Sequence, residues 1–260
     1  MRDAAPSIPI RAYKKIKGLV WAANFRQYQS LMRADHPFRA FPMRVVGDAS
    51  ADPSETLDHY DSFAYWAARK IVERGRRLEI LDVGSTKMMN VQLSAQHDVT
   101  SVVLADCGDQ ISAVRYVKQD VSDGLPFADA SFDVFTSTVA LPLVGLGRYG
   151  DRVNPDCLFE LVREVSRVLR PDGEILCSMC LGRNVLNFNN GWFLDLPTLG
   201  SVFREWQIAD HLIDNWSSPK GTFDSEKVRF TTDASVERSP LGDYRVIFLH
   251  LRKQQSQSRS

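Results

Sequence analysis

LEILDVGSTKMMN, residues 78–90, is the stretch whose reading decides the fold. An apolar run, Leu78 to Val83, meets Asp82 and Gly84 and then turns polar. That pattern reads as a short buried strand, a tight turn and the start of a helix. Working outward, VTSVVLAD (99–106), VRYVKQD (114–120) and FDVFTST (132–138) repeat the short apolar run. NPDCLFELVREVSRVLR (154–170) has apolar residues at Leu158, Leu161, Val162, Val165 and Val168, the spacing of one helix face. Pro171-Asp172-Gly173 ends it, and GEILCSMCL (173–181) is the next strand. A short helix in LPTLGSVFREW, a strand at QIADHLID and a last strand at DYRVIFLHLRK (243–253) complete the series. Strands alternating with helices predict a three-layer, doubly wound α/β fold on a mostly parallel, seven-stranded sheet. The long polar connection before 243–253 predicts that this final strand runs antiparallel.

Upstream, TLDHYDSFAYWAARKIVERG (56–75) reads as a helix, with Thr56 as a candidate N-cap and Gly75 at the C-terminal stop. Residues 1–55 differ from the rest and are expected to form a helical extension and linker. The domain is expected over 56–253, and 254–260 (QQSQSRS) as a disordered tail. Between residues 11 and 32, Tyr13, Ile16, Val20, Trp21, Phe25, Tyr28 and Met32 recur near helical spacing beside five basic residues. This segment either packs on its own domain or docks on an anionic membrane or a protein partner.

Thirty-two basic and 32 acidic side chains cancel in 260 residues, which removes bulk charge as a route to nucleic acid. With 44% hydrophobic and 25% charged residues, a disordered chain is excluded. No apolar run reaches the roughly 18 residues that span a bilayer. MRDAAPSIPIRAYKK lacks the apolar core of a secretory signal, so a reducing cytoplasm is the expected location. Cys177 and Cys180 form a C-x-x-C inside a strand, where residues three apart face opposite sides and cannot share a metal. No metal site is expected.

Parallel sheets bind ligands outside the carboxyl ends of their strands, so chemistry is sought there. Those positions hold Asp82, Gly84 and Ser85, then Asp106, then Asp120 and Val121. A glycine turn followed by an acid about twenty residues on suits an adenine nucleoside, the acid accepting from ribose hydroxyls. Asp120 is placed to meet the exocyclic amine of adenine. A strand-end aspartate also caps helices, and a lone glycine also simply turns. The turn GSTKMMN lacks the further glycines that a pyrophosphate needs, which disfavours NAD and FAD. No phosphate-binding G-x-x-x-x-G-K-[ST] exists either.

LEILDVGS, QDVSDGLPFADASFDVFTST (119–138) and LFELVREVSRVLRPDGEIL (158–176) resemble the class I S-adenosylmethionine-dependent methyltransferases, the type-eleven domain in particular. HYDSFAYWAARKI (59–71), GLGRYGDRVNPD (145–156) and NVLNFNN (184–190) are similar to a methyltransferase-like family linked to bacterial surface-polysaccharide genes. The resemblance covers about residues 58–215 and implies a Rossmann-like fold, S-adenosylmethionine as cofactor, and a small-molecule or glycan hydroxyl as acceptor. It makes Asp82, Gly84, Ser85, Asp106, Asp120 and Val121 cofactor candidates. Tyr60, Trp66, Arg148 and Tyr149 would line the acceptor side, with Asp151 and His59 as candidate bases. Asp151 is either that base or a clamp on Arg148. Two departures stand out: the family's histidine and glutamate after the fourth strand are replaced by VALPLV (139–144), and a later histidine by Gly191. They raise an alternative, a binding or assembly module that keeps the fold without turnover.

Overall fold

The computed structural model describes residues 22–34, 36, 39–41, 59–105, 113–188, 190–215, 230–231 and 245–253. Thr56, Asp106, Cys107 and most of the N-terminal extension lie outside them. Residues 22–31 are helical (α1). Then follow β1 (Arg39–Phe41), α2 (His59–Val72), β2 (Glu79–Val83), α3 (Lys87–Ser94), β3 (Asp98–Val103), β4 (Val114–Lys118) and β5 (Phe132–Ser137). The second half holds α4 (Cys157–Val168), β6 (Leu169–Leu181), β7 (Val185–Asn187), β8 (Gly191–Leu194), α5 (Leu196–Val202), β9 (Trp206–Asn215), β10 (Phe230–Thr231) and β11 (Arg245–Lys253).

The seven expected strands form one sheet in the order β4-β3-β2-β5-β6-β11-β9, with β11 antiparallel to both neighbours and the other pairs on this path parallel. Four short strands extend it. β5 leaves β6 at Ser137↔Cys177, and β8 takes up the vacated edge at Cys180↔Phe193. β7 folds back on β8, and β1 joins β7. The expectation of seven strands is corrected here: NVLNFNN and part of the N-terminal linker become strands because that edge offers free backbone partners. β10 pairs with β9 in the same way.

Two apolar layers sandwich the sheet. On one face α2 and α3 pack Phe63, Trp66, Ile71, Met89 and Leu93 against Ile80, Val134, Leu176 and Phe248. On the other, α4 turns Leu158, Leu161, Val162, Val165 and Val168 onto Leu81, Phe135, Ile175 and Met179. Burying a Leu or Val side chain is worth roughly 1.5–3 kcal/mol, so this helix is held by its face rather than by propensity. α4 begins at Cys157 and ends at Val168, shorter than expected, since residues 154–156 form a turn and Leu169 already pairs with Phe132. Gly75 closes the turn after α2 at φ +64°, donating to Val72 O. Cys177 and Cys180 lie on opposite faces, and burial pushes both thiols up, Cys180 to about 12.

The amino ends of the strands are tied by ions. Asp133, 2% exposed, takes Arg76 at 2.8 Å, Arg170 at 2.7 Å and the amide of Glu79. Glu174 takes Arg74 at 2.9 Å, Arg252 at 2.8 Å and His250 at 3.3 Å. Burial alone would raise both carboxyls, but these donors and cations bring each down to about 2. With that edge locked, the carboxyl edge is left for chemistry.

Candidate functional site

β2 leads to β3 and β4 on one side, and the chain then crosses to β5 and β6 on the other. The crevice outside the carboxyl ends of β2 and β5 is therefore the topological switch point. Gly84 sits there, exposed, at φ +78°. A Cβ on it would lie 2.3 Å from the Ala140 Cβ, so the turn admits no side chain.

Beneath the turn three strands place polar residues in one row, Ser101 of β3 beside Asp82 beside Thr136 of β5. Thr136 Oγ1 donates to Asp82 Oδ1 at 3.0 Å, while Asn90 Nδ2 and Ser101 Oγ donate to Oδ2 at 2.8 and 3.1 Å. Asp82 has no exposed surface. Burial raises its carboxyl, and the bonds from Ser85, Asn90, Thr136 and Ser101 oppose that without cancelling it. Its work in this geometry is internal, fixing the turn and α3 from below. Ser85 accepts from Thr138 Oγ1 at 3.1 Å, which ties the turn to the end of β5. Val139, next in line, is held at φ +51° with its amide donating to Ser178 Oγ at 2.7 Å. A β-branched residue in that region is strained, and such strain gathers at functional edges.

Asp120 caps the short helical turn Val121–Asp123 through Ser122 N at 2.9 Å, and its other oxygen takes Arg152 N at 2.7 Å. Arg152 also bonds Ser122 O and meets Asp123 at 3.0 Å, so strand four's neighbour and the 145–154 loop are stitched together here. Val121 is buried in the α4 layer and, with Ser122, Gly124, Glu160, Arg163 and Glu164, lines a surface depression of about 330 Å³. A carboxylate accepts more than two bonds, so Asp120 keeps capacity for a ligand donor.

The glycine-rich stretch is a shaped loop, as its composition predicts, with Gly145, Gly147 and Gly150 all at positive φ. Asp151 is buried, and its two oxygens accept from Gly147 N and Tyr149 N, each at 3.1 Å. These amides, rather than the Arg148 guanidinium, are the hydrogen-bond donors seen on this carboxylate. Arg148 stands over the Tyr149 ring at 5.2 Å, and Tyr149 is 63% exposed at the tip. His59 and Tyr60 open α2, their rings 4.1 Å apart. Because α2 leads into the amino end of β2, its first turn lies toward the carboxyl edge. Trp66, expected on the acceptor side, points into the core. It is buried midway along α2 against Phe63 and Phe248, because positions 63, 66, 67 and 71 share the core-facing side of the helix.

Sequence reasoning missed Asn90 and Ser101 and gave Thr136, at the end of the fourth strand, no role; their meeting depends on strand register. For α1, the structure shows one of the two readings that the sequence left open. Phe25 and Tyr28 pack on Phe188, Tyr28 on Trp192, and Asn24 Nδ2 donates to Gly147 O at 3.1 Å. Phe25, Tyr28 and Met32 are thus turned onto the chain's own domain.

Residues 75–177 match the methyltransferase domain family. No curated protein sequence matches the chain. Among solved structures, the fold is similar to Burkholderia thailandensis 1,6-didemethyltoxoflavin-N1-methyltransferase, solved with 1,6-didemethyltoxoflavin and S-adenosylhomocysteine, at TM-score 0.54 and 16% identity. That similarity covers 97% of this chain and 93% of the other. The [4+2]-cyclase SpnF is also similar, at TM-score 0.52 and 14% identity over 97% and 99% of the two chains. At such identities the likeness speaks for the fold, and the two reactions differ. Residues 75–177 thus match the methyltransferase domain family, within a chain that has the Rossmann-like fold of these methyltransferase-type neighbours.

Proposed function

We propose that the protein transfers a methyl group from S-adenosylmethionine to a hydroxyl of a small molecule or glycan, within surface-polysaccharide or related biosynthesis. The observation that carries this reading is the side-chain-free turn at Gly84, open at the switch point and braced from below by Asp82. Asp106 would receive the ribose hydroxyls, with Gly84, Ser85, Asp120 and Val121 completing the cofactor side. When bound, S-adenosylmethionine supplies a methyl carbon activated by a positively charged sulfur.

What the chain's own residues do is align the acceptor and take its proton. Arg148 presents a rigid fork suited to a carboxylate or phosphate, and Tyr149 a ring that stacks on a sugar face. Tyr60 lines the same side. His59 and Asp151 are the candidate bases, and the two loop amides on Asp151 favour His59. Among the described residues no helix is long and apolar enough to cross a membrane, which is compatible with action in the cytoplasm.

A second reading is a binding or assembly module without turnover. It is favoured by the segment 139–144, where apolar residues pack inward in place of the resembled family's histidine and glutamate. Calorimetric titration with S-adenosylmethionine and S-adenosylhomocysteine separates the two. Saturable heat with both, followed by label transfer from methyl-labelled cofactor to nucleotide-linked sugars, supports the enzyme. Absence of heat with either supports the module.

A further inference from the structure

We infer that residues 22–34 with His36 form a strap over the acceptor loop, and that Asn24 is a positioning residue acting through Gly147. The strap touches three elements that meet at the carboxyl edge. Asn24 donates to Gly147 O, Phe25 and Tyr28 pack on the β7–β8 hairpin, and His36 Nε2 lies 3.3 Å from Pro155 O and stacks on Trp192. Arg33 reaches Asp156 at the start of α4, at 3.5 Å.

The Asn24 contact is fitted rather than incidental. Gly147 is at φ +69°, and a Cβ there would lie 2.6 Å from Asn24 Nδ2. The same residue's amide is one of the two that Asp151 holds. Gly147 is therefore gripped from both sides, by Asn24 on its carbonyl and by Asp151 on its amide. Arg148 and Tyr149 project from the segment so fixed.

The strap's seat is also built to release. Tyr28 is the one wholly buried residue of the described strap, and its hydroxyl has no hydrogen-bond partner among the described residues. Burying an unsatisfied hydroxyl opposes closure. A closed strap orders Arg148 and Tyr149, and an open one admits the acceptor. The acceptor role of that loop rests on the proposed function, whereas the latch itself does not.

Hydrogen exchange on the full chain, read by mass spectrometry on peptides covering 145–151, 25–31 and the remote 174–181, tests the latch without any substrate. Asn24→Ala and Asn24→Asp remove the donor and should speed exchange of 145–151 about threefold to tenfold, as losing one neutral hydrogen bond implies. Asn24→Gln, which keeps the amide, should restore most of the protection. Tyr28→Phe should act in the opposite sense, slowing both 25–31 and 145–151 by about fivefold or more. Exchange of 145–151 within twofold of the parent in Asn24→Ala and Asn24→Asp overturns the latch, and so does an equal rise in 174–181. Faster exchange in Tyr28→Phe overturns the release. Failure of the methyl-transfer reading would show instead as missing heat with S-adenosylhomocysteine.

Discussion

Asp151→Asn decides between a catalytic base and a structural clamp. In the structure one carboxylate oxygen takes the amide of Gly147 and the other that of Tyr149, both at 3.1 Å, in a buried setting. Asparagine keeps one acceptor oxygen and turns an NH2 toward the second amide, so one charge-assisted bond is lost and two donors face each other. A hydrogen bond to a charged acceptor contributes about 1.5–3 kcal/mol, which puts the cost near 2 kcal/mol. For a domain of this size each kcal/mol moves the midpoint by about 2–4 °C, so the thermal midpoint should fall by roughly 4–8 °C. Asp151→Ala, losing both bonds, should fall further. Calorimetric or fluorescence melting measures this, with amide exchange at Tyr149 reporting the loop directly. A variant that melts within about 1 °C of the parent and keeps that amide protected refutes the clamp, and the base reading would then stand.

Three further outcomes are expected. Gly84→Ala forces a Cβ to within 2.3 Å of the Ala140 Cβ at a left-handed φ, so it should cost at least about 1–2 kcal/mol and weaken S-adenosylhomocysteine binding in the same titration. Glu174 is held near 2 against an ordinary 4.5, so ionisation stabilises the fold above pH 4.5 and this contribution is lost as pH falls toward 2. The stability gap between the parent and Glu174→Gln, about 3 kcal/mol at pH 7 by urea unfolding, should therefore shrink below pH 4.5, and a gap that is constant with pH would contradict this. Asp106→Ala should weaken S-adenosylmethionine binding about tenfold or more. Asp120→Ala should instead loosen the loop through its lost bonds to Ser122 and Arg152, measurable as faster exchange over 145–154.

The order of elements from residue 59 to 253 was legible because each signal is local. Alternating short apolar runs and a 3.6-residue stripe such as Leu158–Val168 need only neighbouring residues, and Gly75, Gly84 and the GLGRYGD stretch announce turns through their backbone freedom. The antiparallel β11 followed from the length of the connection before it. The small strands β1, β7, β8 and β10 were not legible, since two to four residues carry no period. β8, β7 and β1 extend the edge of β6 that β5 leaves open, and β10 pairs on the free edge of β9.

For the site, the chain alone determined which residue types stand at the strand ends, and so pointed to Asp82, Gly84 and Asp120. Tertiary structure decided what each does. Register brings Ser101, Thr136 and Asn90 around Asp82 and makes it a buried brace, helix rotation puts Trp66 in the core, and the closing of the loop commits both oxygens of Asp151. Asn24 and Gly147, 123 positions apart, have no sequence relation at all. Whether a carboxylate is spent on the fold or kept for a ligand depends on donors from distant segments, and those distances exist only once the chain has packed.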